Sequence, residues 1–370
     1  MNSPLQIEVL ERAKAAPYAQ LFHECSNGLA QQSLEWSDVI APISPDRPYF
    51  LVVRNMSDQT IIAGLPLYHF KGELGNILTS VPHAGPLGGI ICTEKLGDVT
   101  AHDIYQALIK RATQMAEEFG CIALTIITHP FLDDAGLYWG RTPPNYVLNN
   151  FCQVVDLKSI FDDSGAYNTG KSSYNSHIRR NLSKAYEAGV TVQWGEEQDF
   201  DLWYEIHRER HSQLGAQPLP ESLLKGVVTK MKTAGLGNLA VAKMKETVIG
   251  GCAYIWNKEV VDAYMPSGDS NYLKYGINYV AIDFGLRQFA KQGFKWFNWQ
   301  SCSRNSGVYD FKKRWGSVEK TYKFLTWTFA GFEKVLEAGK DRISKAYQWH
   351  YLAPFEAIEN RLTHGEFEKN

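Results

Sequence analysis

"GNLAVAKMKETVIGGCAYIWN", residues 237–257, sets two runs of β-branched, aromatic and small apolar residues on either side of a charged "KMKE". Such runs around a polar turn predict a β-hairpin. The first half of the chain holds a second stretch of the same kind. Residues 48–70, "PYFLVVRNMSDQTIIAGLPLYHF", place two similar runs around a polar "NMSDQ" turn. Laid together with one deletion, Leu51 meets Leu239, Thr60 meets Thr247 and Gly64 meets Gly251.

Each hairpin is followed by the pattern of a helix, then a glycine, then a buried strand. In the first half Ile104, Ala107, Leu108, Ala112, Met115 and Phe119 recur at helical spacing, Gly120 suits a left-handed cap, and "CIALTIIT" continues as a strand. In the second, Ile277, Val280, Ala281 and Phe284 mark one helix face, Gly293 closes it, and "FKWFNW" follows. The repeated order predicts an internal duplication, with a longer link between hairpin and helix in the first copy. Chance recurrence of common parts is the competing explanation.

The chain of 370 residues suits two domains, and "TPPNYVLNN", residues 142–150, carries the Pro pair and Asn cluster of a boundary. The expected first domain is 1–148, with the C-terminal 326–370 packing back on it; the second is 149–325. Further expected helices are a basic one over 169–188 ended by Gly189, two over 198–213 and 219–234, and a last one over 331–347. Lys plus Arg is 38 and Asp plus Glu 40, for a formal charge of −2. That balance excludes a bulk basic coat for duplex DNA, so any phosphate site is local. The 10 Trp, 19 Tyr and 18 Phe suit large cores or a stacking cleft. Six cysteines lie far apart with no C-x-x-C pair and read as reduced, buried thiols. No secretory signal is evident, and no run reaches the ~18 apolar residues of a membrane span, so a cytoplasmic enzyme is the expectation.

His207 and His211 sit four apart in "HRERH", but Arg208 stands where a zinc protease needs Glu, so a solvated charged face is expected instead of a metal site. No G-x-S-x-G elbow or P-loop occurs. Cys302, in "NWQSCSRNSG", could be a nucleophile, though no His or Asn partner stands out, and a passive loop thiol is the stronger reading. "SGDSNYLKYGIN", residues 267–278, runs from a strand into a helix. With Gly276 in the turn it could offer backbone N–H groups to a pyrophosphate, or be an ordinary capped helix start. Two basic clusters remain: Arg179, Arg180 and Lys184, and then Lys312, Lys313 and Arg314 in "SGVYDFKKRWGS", residues 306–317. Either could be a solvated face. Phe311 and Trp315 flank the second cluster at helical spacing, which would bury one face and hold Lys312 or Lys313 beside it, ready for phosphate or developing negative charge.

"SSYNSHIRRNLSKAYEAGVTV", "DAYMPSGDSNYLKYGINYVAIDFGLRQFAKQGFKWFNW" and "SGVYDFKKRWGS" together resemble the second half of the Fem-type peptidyltransferases, bacterial enzymes with two GNAT-like acyltransferase domains in tandem. The resemblance is clearest over residues 170–317; "SVPHAGPLGGI" and the helix-glycine-strand cassette fit the first domain. It implies an α/β fold of mixed sheets, two GNAT-like domains related by duplication. It implies amide formation without a metal or permanently bound cofactor: an amine on a cell-envelope, polysaccharide or specialised-metabolite precursor, phosphorylated or lipid-linked, attacks an acyl or aminoacyl group. The donor would be aminoacyl-tRNA or, as in looser relatives, acyl-CoA; an acyl-CoA-dependent acetyltransferase on an amino sugar or small amine is the rival. A non-catalytic GNAT-like binding protein is the alternative from another class.

The family's Phe-Lys pair matches Phe311 and Lys312, which places Lys312 at the transfer centre. The "RRN" motif matches Arg179 to Asn181 and puts Arg180 near phosphates; Tyr264 matches a substrate-cleft tyrosine. Lys313 and Gly276 complete the expected donor-binding set. No general base stands out: His83 and Asp269 are candidates, with cap or packing roles as the alternative. The long coiled-coil hairpin of some members, thought to help hold tRNA, is replaced here by two short predicted helices. The lone glycine before the helix also falls short of a full GNAT pyrophosphate signature.

Overall fold

The computed structural model describes residues 5–82, 85, 87–140, 142–162 and 175–369. The chain divides into two compact units, the first holding Met1–Ser37, Ser44–Phe151 and Lys320–Asn370, the second Asp38–Ile43 and Cys152–Glu319. The division falls inside the strand Tyr146–Asp156, just past the Pro- and Asn-rich stretch 142–150 whose second half forms the start of that strand. The short Asp38–Ile43 excursion into the second unit has no signature in the sequence. Val39 there packs against Gly226, and the Lys230 ammonium donates to the Asp38 carbonyl at 2.6 Å.

In chain order the first unit contributes β1 (Leu5–Glu11), β2 (Arg47–Asn55), β3 (Ile61–Gly72), β4 (Gly75–Thr79), β5 (Ile91–Cys92), β6 (Cys121–Ile127) and the first half of β7 (Tyr146–Asp156). The second unit takes the end of β7, then β8 (Val190–Trp194), β9 (Gly237–Met244), β10 (Thr247–Asn257), β11 (Val260–Gly268) and β12 (Trp296–Asn298). The chain returns to the first unit in β13 (Val318–Thr328) and β14 (Gly365–Glu368).

The two units have the same strand order. In the first it is β1-β2-β3-β4-β6-β13, with β4 and β6 parallel and the other neighbours antiparallel. In the second it is β8-β9-β10-β11-β12-β7, with β11 and β12 parallel and the rest antiparallel. Both predicted hairpins form. The first turn closes because the Asn55 and Asp58 carboxamide and carboxylate accept from the Ser57 and Thr60 backbone N–H groups at 3.0 Å each. The second turns through Lys245, whose φ is 54°.

Each parallel pair is joined by the expected crossover helix. Ala101–Glu118 starts at a Thr100–Asp103 capping box and buries Ile104, Leu108, Ala112 and Met115; Ile277–Lys291 buries Val280, Ala281, Leu286 and Phe289. Gly120 and Gly293 follow with φ of 61° and 81°. The equivalence reaches single residues. A side chain at Gly64 would strike Tyr18 and Leu21 of the helix Ala16–Glu24, and one at Gly251 would strike the Ala240 carbonyl oxygen of β9 and crowd Trp203 of the helix Glu197–Gln213 at 3.1 Å. In both units the glycine of the second hairpin strand lets a helix bring a large ring against the sheet.

The basic helix is described from Ser176 to Glu187, behind an Asn175 cap; residues 169–174 of its expected span lie outside the described residues. The segment expected over 219–234 is helical from Glu221 and passes through a π-turn at Val227–Met231. The last long helix, Glu333–Ala346, is broken at Gly339.

Candidate active site in the second unit

β11 pairs with β12 only over Val260–Asp262 and Trp296–Asn298. Beyond those residues β11 runs on to Gly268 along β10, whereas β12 ends and its chain turns away. The register between β10 and β11 slips at this point: Ala253 faces Met265 but Tyr254 faces Ala263, which leaves Tyr264 as the extra residue of a bulge. Two parallel strands therefore separate just past Asp262 and Asn298. Their side chains close the apex, the Asn298 amide donating to Asp262 at 2.5 Å, both buried. Tyr264 is buried beside it, its hydroxyl made much less acidic by burial and then by the Asp262 charge.

The first unit treats the same place differently. After Thr79 the Ser80 N–H donates to the Thr125 carbonyl at 2.9 Å, and the Ser80 hydroxyl accepts from the Ile127 N–H at 3.1 Å. β4 and β6 are thus stitched together to the end of β6. A side chain at Gly89 would lie 3.3 Å from the Ile127 carbonyl oxygen, so the chain following β4 also presses on that end. The candidate base His83 lies outside the described residues.

The helix Gly307–Arg314 begins at Ser306, whose hydroxyl accepts from the Tyr309 N–H at 3.2 Å. It sorts the lysines that the sequence left together. Lys312 is buried, and its ammonium donates to the Gln300 carbonyl at 3.0 Å and the Ser301 carbonyl at 3.5 Å, on the chain that has just left β12. Lys313 and Arg314 are exposed. Phe311 and Trp315 anchor the inner face against Tyr279 and Trp299, with ring centroids 5.2–6.0 Å apart. Gln300 has φ 61°, an unusual backbone for its residue type, and its N–H donates to the Asn298 side chain at 3.0 Å. Gln153 of β7 braces the same loop: its amide donates to the Tyr309 carbonyl and the Ser317 hydroxyl at 3.2 Å each. The Cys302 thiol donates to Gln153 Oε1 at 3.2 Å, which makes it part of this bracing.

The other expected site residues come to the same region. Arg179, Arg180 and Lys184 lie exposed on the helix Ser176–Glu187. Its cap, Asn175, donates to the Arg314 carbonyl at 3.3 Å. His177 Nε2 lies 3.0 Å from the Tyr279 hydroxyl, and its Nδ1 lies 3.4 Å from the Arg180 guanidinium. Asn181 donates to the His177 carbonyl at 2.8 Å. The three motifs singled out in the sequence are thus bound into one structure, through His177, Tyr279 and Gln153, which the sequence did not single out. His177 was concealed next to a more conspicuous arginine pair, and Tyr279 inside an apolar helix pattern.

Gly276 has a packing role of its own, and one expectation, for the HRERH helix, is corrected. Gly276 is buried, with φ 73°, and a side chain on it would meet the Asn181 carbonyl oxygen at 2.6 Å. The turn before it is a six-residue 3-10 helix, Ser270–Tyr275, capped by Asp269, whose carboxylate accepts from the Asn271 N–H at 2.8 Å. Gly276 thus sits in close packing with the Asn181 carbonyl, and Asp269 has the cap role. The "HRERH" helix is not a solvated charged face at His207. That side chain is fully buried, bonded to Ser267 Oγ at 3.0 Å and accepting from the Leu219 N–H at 3.1 Å. Burial, helped by His211, lowers its pKa to about 4, so it is a neutral packing residue with both nitrogens occupied.

The strand order and crossover helix of the second unit are those of a GNAT-type domain. Residues 172–313 match the Acetyltransferase (GNAT) domain family, so the second unit carries that domain. No curated protein matches the sequence. The crystal structure of FemX is similar over 86% of this chain and 97% of its own, with a TM-score of 0.66 and 11% identity. The C-terminal domain of a putative lysylphosphatidylglycerol synthetase from Agrobacterium fabrum is similar over 90% of this chain and 96% of its own, at TM-score 0.55 and 10% identity. L-PGS from Bacillus licheniformis is similar over 85% and 95%, at TM-score 0.52 and 13% identity. At these identities the likeness concerns the fold alone. Among the described residues no helix is long and apolar enough to cross a membrane.

Proposed function

We propose that this chain is an N-acyltransferase that moves an aminoacyl group from an activated ester to an amine, at the parting of β11 and β12 in the second unit. The observation that carries the reading is that parting, with Tyr264 bulged into one side and the loop held by Lys312 on the other. An amine attacking the acyl carbon forms the C–N bond and puts negative charge on the acyl oxygen; collapse breaks the ester bond, and the leaving oxygen takes up the proton that the amine gives up. A fixed ammonium such as that of Lys312 is suited to the developing oxyanion. Phe311 beneath it holds the helix in place. The exposed Arg179, Arg180, Lys313 and Arg314 offer charge for the phosphates of a large donor. Aminoacyl-tRNA is therefore preferred to acyl-CoA as donor. A phosphorylated or lipid-linked amine precursor is the proposed acceptor.

The test is amine-dependent loss of a labelled aminoacyl group from a charged tRNA pool, run beside thiol release from acetyl-CoA, with amino sugars and diamines as acceptors. The expected result is transfer from tRNA, lowered about 100-fold or more in Lys312→Ala with the fold checked by circular dichroism. Release from acetyl-CoA alone would replace this reading with an acyl-CoA enzyme, and no transfer from either would favour a binding protein.

A further inference from the structure

We propose that His177 and Tyr279 are positioning residues that couple phosphate binding at Arg180 to the seating of the Lys312 helix. The proposal rests on the reading of Arg180 and Lys312 given above. The helix Ser176–Glu187 grips the second unit's site at two points within its first turn. Asn175 donates to the Arg314 carbonyl at the end of the Lys312 helix, and His177 holds the Tyr279 hydroxyl. The Tyr279 ring packs on Phe311 at 5.2 Å and Trp315 at 5.9 Å, the two residues that flank Lys312 in the apolar face of its helix. Lys312 in turn pins the carbonyls of Gln300 and Ser301 where β12 leaves β11. From Arg180 to the parting strands every step is a named contact.

The hydrogen bonds have a direction. A guanidinium only donates, so Arg180 makes His177 Nδ1 the acceptor; the neutral ring then carries its proton on Nε2 and donates to Tyr279 Oη. A phosphate that recruits the Arg180 guanidinium removes the donor from Nδ1. The ring can then take its other tautomer, and Tyr279 changes from acceptor to donor. Its hydroxyl moves to suit, and the ring lies against Phe311 and Trp315. The bond between Nε2 and the Tyr279 hydroxyl is kept in both arrangements with its direction reversed, and Nδ1 faces the exposed Arg180 side in each.

The experiment needs no acceptor substrate. Lys312 is reductively methylated in limiting reagent, its labelling rate is read by peptide mass spectrometry, and inorganic tripolyphosphate is the phosphate probe at fixed pH and ionic strength. In the wild type, saturating tripolyphosphate is expected to change the Lys312 rate about fivefold or more. Tyr279→Phe keeps the ring packing and loses the hydroxyl; it should bind the probe with affinity within about twofold of wild type yet show no change at Lys312. His177→Gln, which can still donate to Tyr279, should recover part of the response, and Arg180→Gln should lose the probe. A full response in Tyr279→Phe overturns the proposal, as does a wild type that binds no tripolyphosphate or responds by less than about twofold. A chain that shows the coupling but no acyl transfer would leave this inference standing and remove the catalytic reading; transfer without coupling would do the reverse.

Discussion

Replacing Gly276 by Ala separates two explanations of one residue. The first is geometric: φ is 73°, and the new Cβ would lie 2.6 Å from the Asn181 carbonyl oxygen, closer than Cβ atoms approach backbone. Gly189 serves as the control, since it has φ 79° and nothing within 4 Å of a Cβ. Both substitutions incur the left-handed cost of an ordinary residue, about 1–2 kcal/mol. Only Gly276→Ala must also push apart the helices Ser176–Glu187 and Ile277–Lys291, and overpacking of that kind costs about 1–3 kcal/mol more. Gly276→Ala should therefore destabilise the second unit by roughly 2–5 kcal/mol and Gly189→Ala by roughly 1–2. Urea unfolding followed by tryptophan fluorescence, with the slope compared between variants, gives the two values. Equal losses would refute the packing argument. If they were accompanied by a selective fall in acyl-CoA affinity in Gly276→Ala, the turn would be a phosphate cradle after all.

Lys312→Met leaves two carbonyls at Gln300 and Ser301 without their ammonium, so a stability loss of about 1–3 kcal/mol should accompany its loss of turnover. Lys313→Met, on the exposed side, should change stability by less than about 0.5 kcal/mol; similar unfolding midpoints for the two would contradict the sorting of these lysines. Burial raises the Asp134 pKa to about 6, against the lowering by hydrogen bonds from Tyr105 and Tyr138. The native state thus holds this proton more tightly than the unfolded chain, and stability is lost as pH rises from about 4 to about 6. Asp134→Asn should remove that slope, gaining on wild type by up to about 3 kcal/mol between pH 4 and pH 7; a pH-independent difference would be contrary. His207 shows the opposite sign. Its pKa is lowered to about 4, so it contributes stability above the ordinary histidine range that is lost as pH falls through about 4, and His207→Phe should weaken that acid dependence while losing the bonds to Ser267 and Leu219.

The duplication was legible because it is written in periodicity: the hairpins at 48–70 and 237–257 and the helix-glycine-strand cassettes bury alternate or helically spaced residues, and that burial pattern is what composition records. The Phe311–Trp315 face was legible for the same reason. Which lysine goes inside was not, because Lys312 and Lys313 are chemically alike and only the rotation of a short helix against Trp299 and Tyr279 separates them. The parting of β11 and β12 was invisible as well, since it depends on where a backbone ladder stops, and a bulge at Tyr264 has no residue signature. His207 misled because a charged surface helix and a helix with one buried imidazole differ by the partners of a single side chain. Gly276 was ambiguous because a glycine before a helix serves phosphate binding and close packing alike. The division of the chain lay past the Pro pair, within β7, because the strand serves first one unit and then the other.

The central claim is that the second unit, through its open strand pair, is where the acyl donor engages. Amide hydrogen exchange of the full chain, with and without charged tRNA and with and without acetyl-CoA, reads this most directly. The account predicts that charged tRNA slows exchange over residues 262–268 and 299–312 and on the helix Ser176–Glu187, while the stitched ends of β4 and β6 around Ser80 and Ile127 stay unchanged. Donor protection at Ser80 and Ile127 in place of residues 262–268 and 299–312, or no protection there by either donor, would contradict it.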